Sequence, residues 1–143
     1  MLKFKERKGL HMAYELTKNL ETGNAVIDNE HRELFQAVNR LLDACSKGAG
    51  LTAVEPAMEF LLQYVDKHFA HEEELQENSK YPNMATHKDF HEKYKIQLKQ
   101  IAADMKASGS PVSVMVKLNN HIAVLINHIR LDDKKLSTFL NQA

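Results

Sequence analysis

The sequence predicts an all-α fold, an up-down-up-down four-helix bundle, on three observations. Apolar residues return at intervals of three and four in four separate stretches, turn-forming clusters divide those stretches, and no stretch alternates with the two-residue period of a strand. At 143 residues the chain is long enough for one domain with a real core and too short for two. The amino-terminal "MLKFKERKGLH" has no helical stripe, so 1–12 is set aside as a non-core segment and 13–143 is assigned to the bundle domain.

Asp28 stands where the first helix should begin and is the expected N-cap. From there His31, Leu34, Phe35, Val38, Leu41, Leu42 and Cys45 share one face. The glycines of "SKGAGLT" break the pattern, and Thr52 with Glu55 predicts a capping box for the second helix, with Pro56 in its first turn. Its stripe runs through Met58, Leu61, Leu62, Val65, His68, Phe69, Glu72 and Leu75, so a histidine and a glutamate interrupt a core face.

"NSKYPN" turns the chain into a third helix, with Met84, His87, His91, Tyr94, Leu98, Ile101 and Met105 along one side. "SGSP" ends it, and Ser110 as N-cap with Pro111 at the first helical position opens the fourth. That helix offers Met115, Leu118, Ile122, Leu125, Ile129, Leu136 and Leu140.

Composition narrows the function. Lysine plus arginine balances aspartate plus glutamate at 19 each, so no net field draws the chain to nucleic acid or an anionic membrane, and a small or buried partner is expected. No apolar run approaches the roughly 18 residues of a membrane span, and no secretory leader is recognisable. Cys45 cannot form an internal disulfide, because it is the single cysteine, which suits a reducing cytoplasmic location.

The inward polar residues carry the chemistry. His68 and Glu72 are four apart, as are His87 and His91, which stacks each pair on its own helix about 40° out of register. Burying carboxylate and imidazole in a bundle core is costly unless a cation compensates. His31 on the first helix and His128 on the fourth complete a set to which every helix contributes. Imidazole and carboxylate without thiolate suit iron, zinc, copper or manganese, and the number of ligands favours a dinuclear metal site over one tetrahedral zinc.

"IDNEH" (27–31), "HFAHEE" (68–73), "YPNMATHKDFH" (81–91) and "HIRLDD" (128–133) together resemble the ordered signatures of hemerythrins, the single-domain bacteriohemerythrins in particular, from about Leu20 to Leu140. The resemblance implies that His87, His91 and His128 bind one iron, that His31 and His68 bind a second, and that Glu72, Asp133 and an oxo or hydroxo group bridge the two iron ions. Counting bonds for two octahedral irons then leaves one position open, on the iron with two histidines, and dioxygen is the ligand implied there. Phe69, Gln76, Val124, Leu125 and Ile129 are the residues expected to line that pocket.

Asp133 lies five residues after His128, about 140° round a regular helix, whereas Asp132 is the four-residue neighbour. Geometry alone selects Asp132; the family spacing selects Asp133, which is preferred, and a local widening of the helix near Leu131 would reconcile the two. Many hemerythrins carry tryptophan four residues before the last ligand histidine, and here Val124 stands in its place; Gln76 replaces the usual methionine four residues after Glu72. Both changes suggest a looser, wetter pocket.

The other polar residues are assigned ordinary roles. His71 and the acidic edge Glu73, Glu74 and Glu77 are expected in solvent, His121 in the structure away from the metal, and His11 in the tail. Three functions are compatible with this reading: reversible dioxygen binding for storage, transport or delivery; reduction of peroxide or dioxygen with an electron donor outside the chain; and oxygen or redox sensing. The first is preferred, the last ranking lowest because no output segment accompanies the domain.

Overall fold

The computed structural model of the chain describes residues 4–6, 12–47, 50–108 and 111–142. The expected N-cap Ser110 and the tail residue His11 lie outside them. Four helical rods follow one another: α1 Ala25–Ser46, α2 Leu51–Ser79, α3 Met84–Ser108, and a fourth made of α4 Pro111–His128, a π-helical segment Ile129–Asp133 and α5 Lys134–Gln142. α1 packs on α2, α2 on α3, α3 on α4, and α4 closes on α1, which is the predicted up-down-up-down bundle. Among the described residues no helix is long and apolar enough to cross a membrane.

A two-stranded antiparallel ribbon, β1 Phe4–Glu6 with β2 Met12–Tyr14, precedes the bundle. Three-residue strands are too short to show a period in sequence, and so the ribbon was not expected. Tyr14 ties it down: its N–H donates to Asn39 Oδ1 at 2.8 Å, its carbonyl accepts from Asn39 Nδ2 at 2.7 Å, and its hydroxyl donates to Asn119 Oδ1 at 2.8 Å.

Two expected caps are corrected. Asn24, not Asp28, caps α1, its Oδ1 accepting from Val26 and Ile27 N–H at 3.0 Å. Asp28 sits in the first turn and faces backward, accepting from Thr22 N–H at 2.8 Å, Thr22 Oγ1 at 2.7 Å and Gly23 N–H at 3.3 Å. The carboxylate serves orphan donors of the entering loop, which turns at Gly23 with φ +95°, a conformation glycine adopts without a Cβ clash. At α2 the Thr52–Glu55 box does not form, because the helix already begins at Leu51 with Gly50 (φ +81°) as N-cap. Pro56 therefore lies in the second turn, on an exposed face where water can serve the Thr52 carbonyl that lacks a donor.

The predicted stripes make the core. Leu34, Phe35, Leu41, Leu42, Phe69, Leu98, Met105, Leu118, Ile122, Leu125 and Ile129 are all fully buried, each contributing about 1.5–3 kcal/mol of transfer free energy. Cys45 lies among them, and burial pushes its thiol pKa up, so it packs as an inert apolar residue. A smaller apolar group, Ile27, Tyr81 and Leu136 with Phe139, closes the end of the bundle where α2 turns into α3.

Candidate metal centre

α1 supplies His31, α2 His68 and Glu72, α3 His87 and His91, and the fourth rod His128 and Asp133; all seven are buried. Two overlapping groups result. Glu72, His87, His91, His128 and Asp133 offer donor atoms within 4.8 Å of one another, and so do His31, His68, Glu72 and Asp133. Both groups contain Glu72 and Asp133. Their oxygens divide between the sides: Glu72 Oε1 is 3.2 Å from His91 Nε2 and 3.3 Å from His87 Nε2, while Oε2 is 3.2 Å from His68 Nε2 and 3.6 Å from His31 Nε2. Asp133 repeats the division, with Oδ1 3.0 Å from His87 Nε2 and 3.1 Å from His128 Nε2, and Oδ2 3.1 Å from His31 Nε2.

The π-helical segment decides between the two aspartates. Its wider turn brings a residue five positions on to the face that a residue four positions on would occupy in an α-helix. Asp133 is thereby turned inward at 1% exposure, and Asp132 is left outside with its side chain 56% exposed. Asp132 still reaches the cluster indirectly, its Oδ2 lying 2.9 Å from His128 Nδ1.

Charge balance follows from these contacts. Burial alone would raise the Glu72 carboxyl, but the imidazoles of His68, His31 and His87 outweigh it and hold the pKa well below the usual range. Asp133 is lowered in the same way by His128, His31 and His87, against burial and the neighbouring Glu72 charge. Reciprocally, burial would lower the histidines, yet Glu72 and Glu30 lift His68 to about 10, and Asp133 with Glu72 lifts His87 to about 9. Without a metal, protons on His68 and His87 supply counter-charge.

That arrangement leaves hydrogen-bonding capacity unused. His31 Nε2, His68 Nε2, His91 Nε2, both Glu72 oxygens and Asp133 Oδ1 are buried with no hydrogen bond among the described residues. They lie near one another without the directions a hydrogen bond requires. Converging nitrogen and carboxylate lone pairs in a buried core are what a pair of borderline cations would use, so the residues present fit a dinuclear metal group.

Outer partners orient the rings. Glu30 spans two histidines, with Oε1 2.8 Å from His68 Nδ1 and Oε2 2.8 Å from His71 Nδ1. Glu73 Oε2 is 2.9 Å from His91 Nδ1. Sequence reasoning left Glu73 and His71 to solvent and did not single out Glu30. These pairs cross between helices and carry no spacing signal, whereas Asp132 was detectable as the four-residue neighbour of His128. Such carboxylates fix imidazole orientation.

Of the expected pocket residues, Phe69, Leu125 and Ile129 are buried, and Phe69 stacks on His91 with ring centroids 3.8 Å apart. Gln76 is fully buried as well. Val124 is corrected: it is 47% exposed, in an outer groove with Ile101, Asn120 and His121. The buried line on α4 runs through Ile122, Leu125 and Ile129, and Val124, about 100° round from Leu125, carries too short a side chain to reach inward. His121 is structural as expected, its ring 3.7 Å from that of Tyr94 and its Nε2 3.1 Å from the Tyr94 carbonyl. Farther along the same groove between α3 and the fourth rod, a cleft of about 490 Å³, lined by Tyr81, His87, Phe90, Lys93, Asp132 and Lys135, approaches the His87 edge.

Comparison with known proteins agrees with this architecture. The model of the Hemerythrin HHE cation binding domain matches residues 22–140. A bacteriohemerythrin of Pseudomonas aeruginosa is 33% identical over 115 residues, covering 80% of this chain and 73% of that protein. A myohemerythrin of Theromyzon tessulatum is 27% identical over 124 residues, 85% of this chain and 89% of its own length. The crystal structure of a hemerythrin mutant superposes with a TM-score of 0.73 at 23% identity, over 83% of this chain and 89% of that one, which supports the fold. On its sequence match along most of its length, the chain belongs to the hemerythrin HHE cation-binding family.

Proposed function

We propose that this is a non-haem di-iron protein that binds dioxygen reversibly in the cytoplasm, for storage, transport or delivery. One observation carries the reading: two donor groups share Glu72 and Asp133, and each carboxylate turns one oxygen toward each side. In this assignment His87, His91 and His128 would hold one iron, His31 and His68 the other, and Glu72 and Asp133 would serve both. The three-to-two division of imidazoles leaves the poorer side with room for a further ligand. The iron pair would supply the electrons for binding dioxygen, and a bridging oxo or hydroxo group would complete it.

The chain's own residues set the conditions. Glu30, Glu73 and Asp132 hold His68, His91 and His128 in one orientation. Phe69, Leu125 and Ile129 present apolar walls that keep bulk water from the donors, which favours release of an unchanged ligand over its loss by proton-driven side reactions. Residues 13–143 are taken as the functional unit, supported by the family match over 22–140 and by Tyr14 anchoring on α1 and α4. The single buried Cys45 is compatible with a reducing compartment.

The test is metal analysis joined to visible spectra recorded in turn under argon and air. A pair of irons per chain with a charge-transfer band that appears and disappears over repeated cycles is the expected result. A chain that takes up no ferrous iron, or one that consumes dioxygen in every cycle with an added reductant, would exclude the carrier reading.

A further inference from the structure

Gln76 and Ser137 are fully buried, and no polar side-chain atom of either finds a hydrogen-bond partner among the described residues. His31 Nδ1 shares this condition, although His68, His91 and His128 all have their Nδ1 on a carboxylate. Gln76 follows Glu72 by four residues, and Ser137 follows Asp133 by four, so each stands one turn, about 6 Å, beyond a shared carboxylate.

In an up-down-up-down bundle α2 and α5 run the same way, and the two steps lead into one layer. Helical side chains lean toward the N-terminus of their own helix. Gln76 and Ser137 therefore lean back toward the carboxylates, and His31, on the oppositely directed α1, leans toward them. Beyond the layer lies the apolar plug of Ile27, Tyr81 and Leu136. All three groups are buried, and each belongs to the donor cluster or stands one turn from it.

We propose that Gln76, Ser137 and His31 Nδ1 enclose a binding site for water, and that this water fixes the ring of His31 as Glu30, Glu73 and Asp132 fix the other imidazoles. Buried waters commonly make about three hydrogen bonds to otherwise unsatisfied groups, which is the number of side chains available here. His31 Nδ1–H donates to the water, the water donates to Gln76 Oε1, and Ser137 Oγ takes the remaining position. Gln76 is then a positioning residue, acting on the two-histidine side of the cluster through a solvent molecule. The inference concerns donor geometry and holds whichever metal is bound.

The test is a high-resolution crystal structure of the full chain as purified, beside Gln76→Met, Ser137→Ala and the double variant. An ordered water within about 3 Å of Gln76, Ser137 Oγ and His31 Nδ1, lost in Gln76→Met, is expected. A Gln76 amide bonded straight to Ser137, or a dry layer, overturns the proposal. Chelator competition on Fe(II)-loaded protein gives a second arm. Gln76→Met should loosen one metal equivalent about tenfold and leave the other unchanged, whereas equal loosening of both, or of neither, overturns the positioning role. Thermal unfolding gives a third: one shared water makes the double variant melt close to the worse single variant, and fully additive losses count against it. A wild-type chain that takes up no iron would defeat the functional proposal above, while the crystallographic arm would still decide this one.

Discussion

Replacing Asp133 with asparagine should be far more damaging than the same change at Asp132, and the comparison tests the π-helical register directly. Asp133 has three imidazole nitrogens within 3.0–3.1 Å and is 1% exposed. Removing its charge leaves His87, lifted to about 9 chiefly by Asp133 and Glu72 against burial, with one fewer counter-charge in the core. Breaking one partner of a buried charge pair costs about 3–5 kcal/mol. For a chain of 143 residues the unfolding entropy is about 0.3 kcal/mol per kelvin. Asp133→Asn should therefore lower Tm of the metal-free protein by about 10–17 °C. Asp132 is more than half exposed and touches one imidazole, so Asp132→Asn should cost no more than about 1 kcal/mol, or about 3 °C. Its effect should fall on metal affinity, about tenfold through a less firmly oriented His128. Calorimetry of the metal-free chain and chelator titration of the loaded one measure the two effects. If Asp132→Asn abolishes metal binding while Asp133→Asn keeps both metal and Tm, the register argument is wrong.

The metal-free protein should lose stability as pH rises through the range 9 to 10. His87 and His68 have folded pKa values raised to about 9 and about 10, so their contribution is complete below about pH 6.5 and disappears above the folded values. Melting curves between pH 6.5 and 10 should show the decline, and metal loading, which replaces those protons, should flatten it; a flat metal-free profile would contradict the charge balance described for the centre. His121→Ala should lower Tm through loss of the Tyr94 stack and hydrogen bond, about 1–3 kcal/mol, while iron stoichiometry by elemental analysis stays that of the wild type. Reduced stoichiometry would move His121 into the metal site. Glu30→Gln and Glu73→Gln should each weaken metal retention about 10- to 100-fold in chelator competition. Unchanged retention in both would mean that the outer carboxylates do not orient the rings.

The sequence alone determined the four stripes, the inward direction of His31, His68, Glu72, His87, His91 and His128, and hence a bundle with polar groups in its core. These are properties of single helices, written in the three-and-four spacing of each. Tertiary structure decided what depends on how one helix is rotated and shifted against another. It paired Glu30 with His68 and Glu73 with His91, and set Val124 in an outer groove. It also left the buried side chains of Gln76 and Ser137 without a hydrogen-bond partner among the described residues. The π-helical segment belongs to the same class, because widening one turn changes a backbone hydrogen-bond register while leaving the side-chain pattern almost unaltered. Asn24 rather than Asp28 caps α1 because both residue types accept equally well, and only the path of the entering chain determines which oxygen meets the free N–H groups.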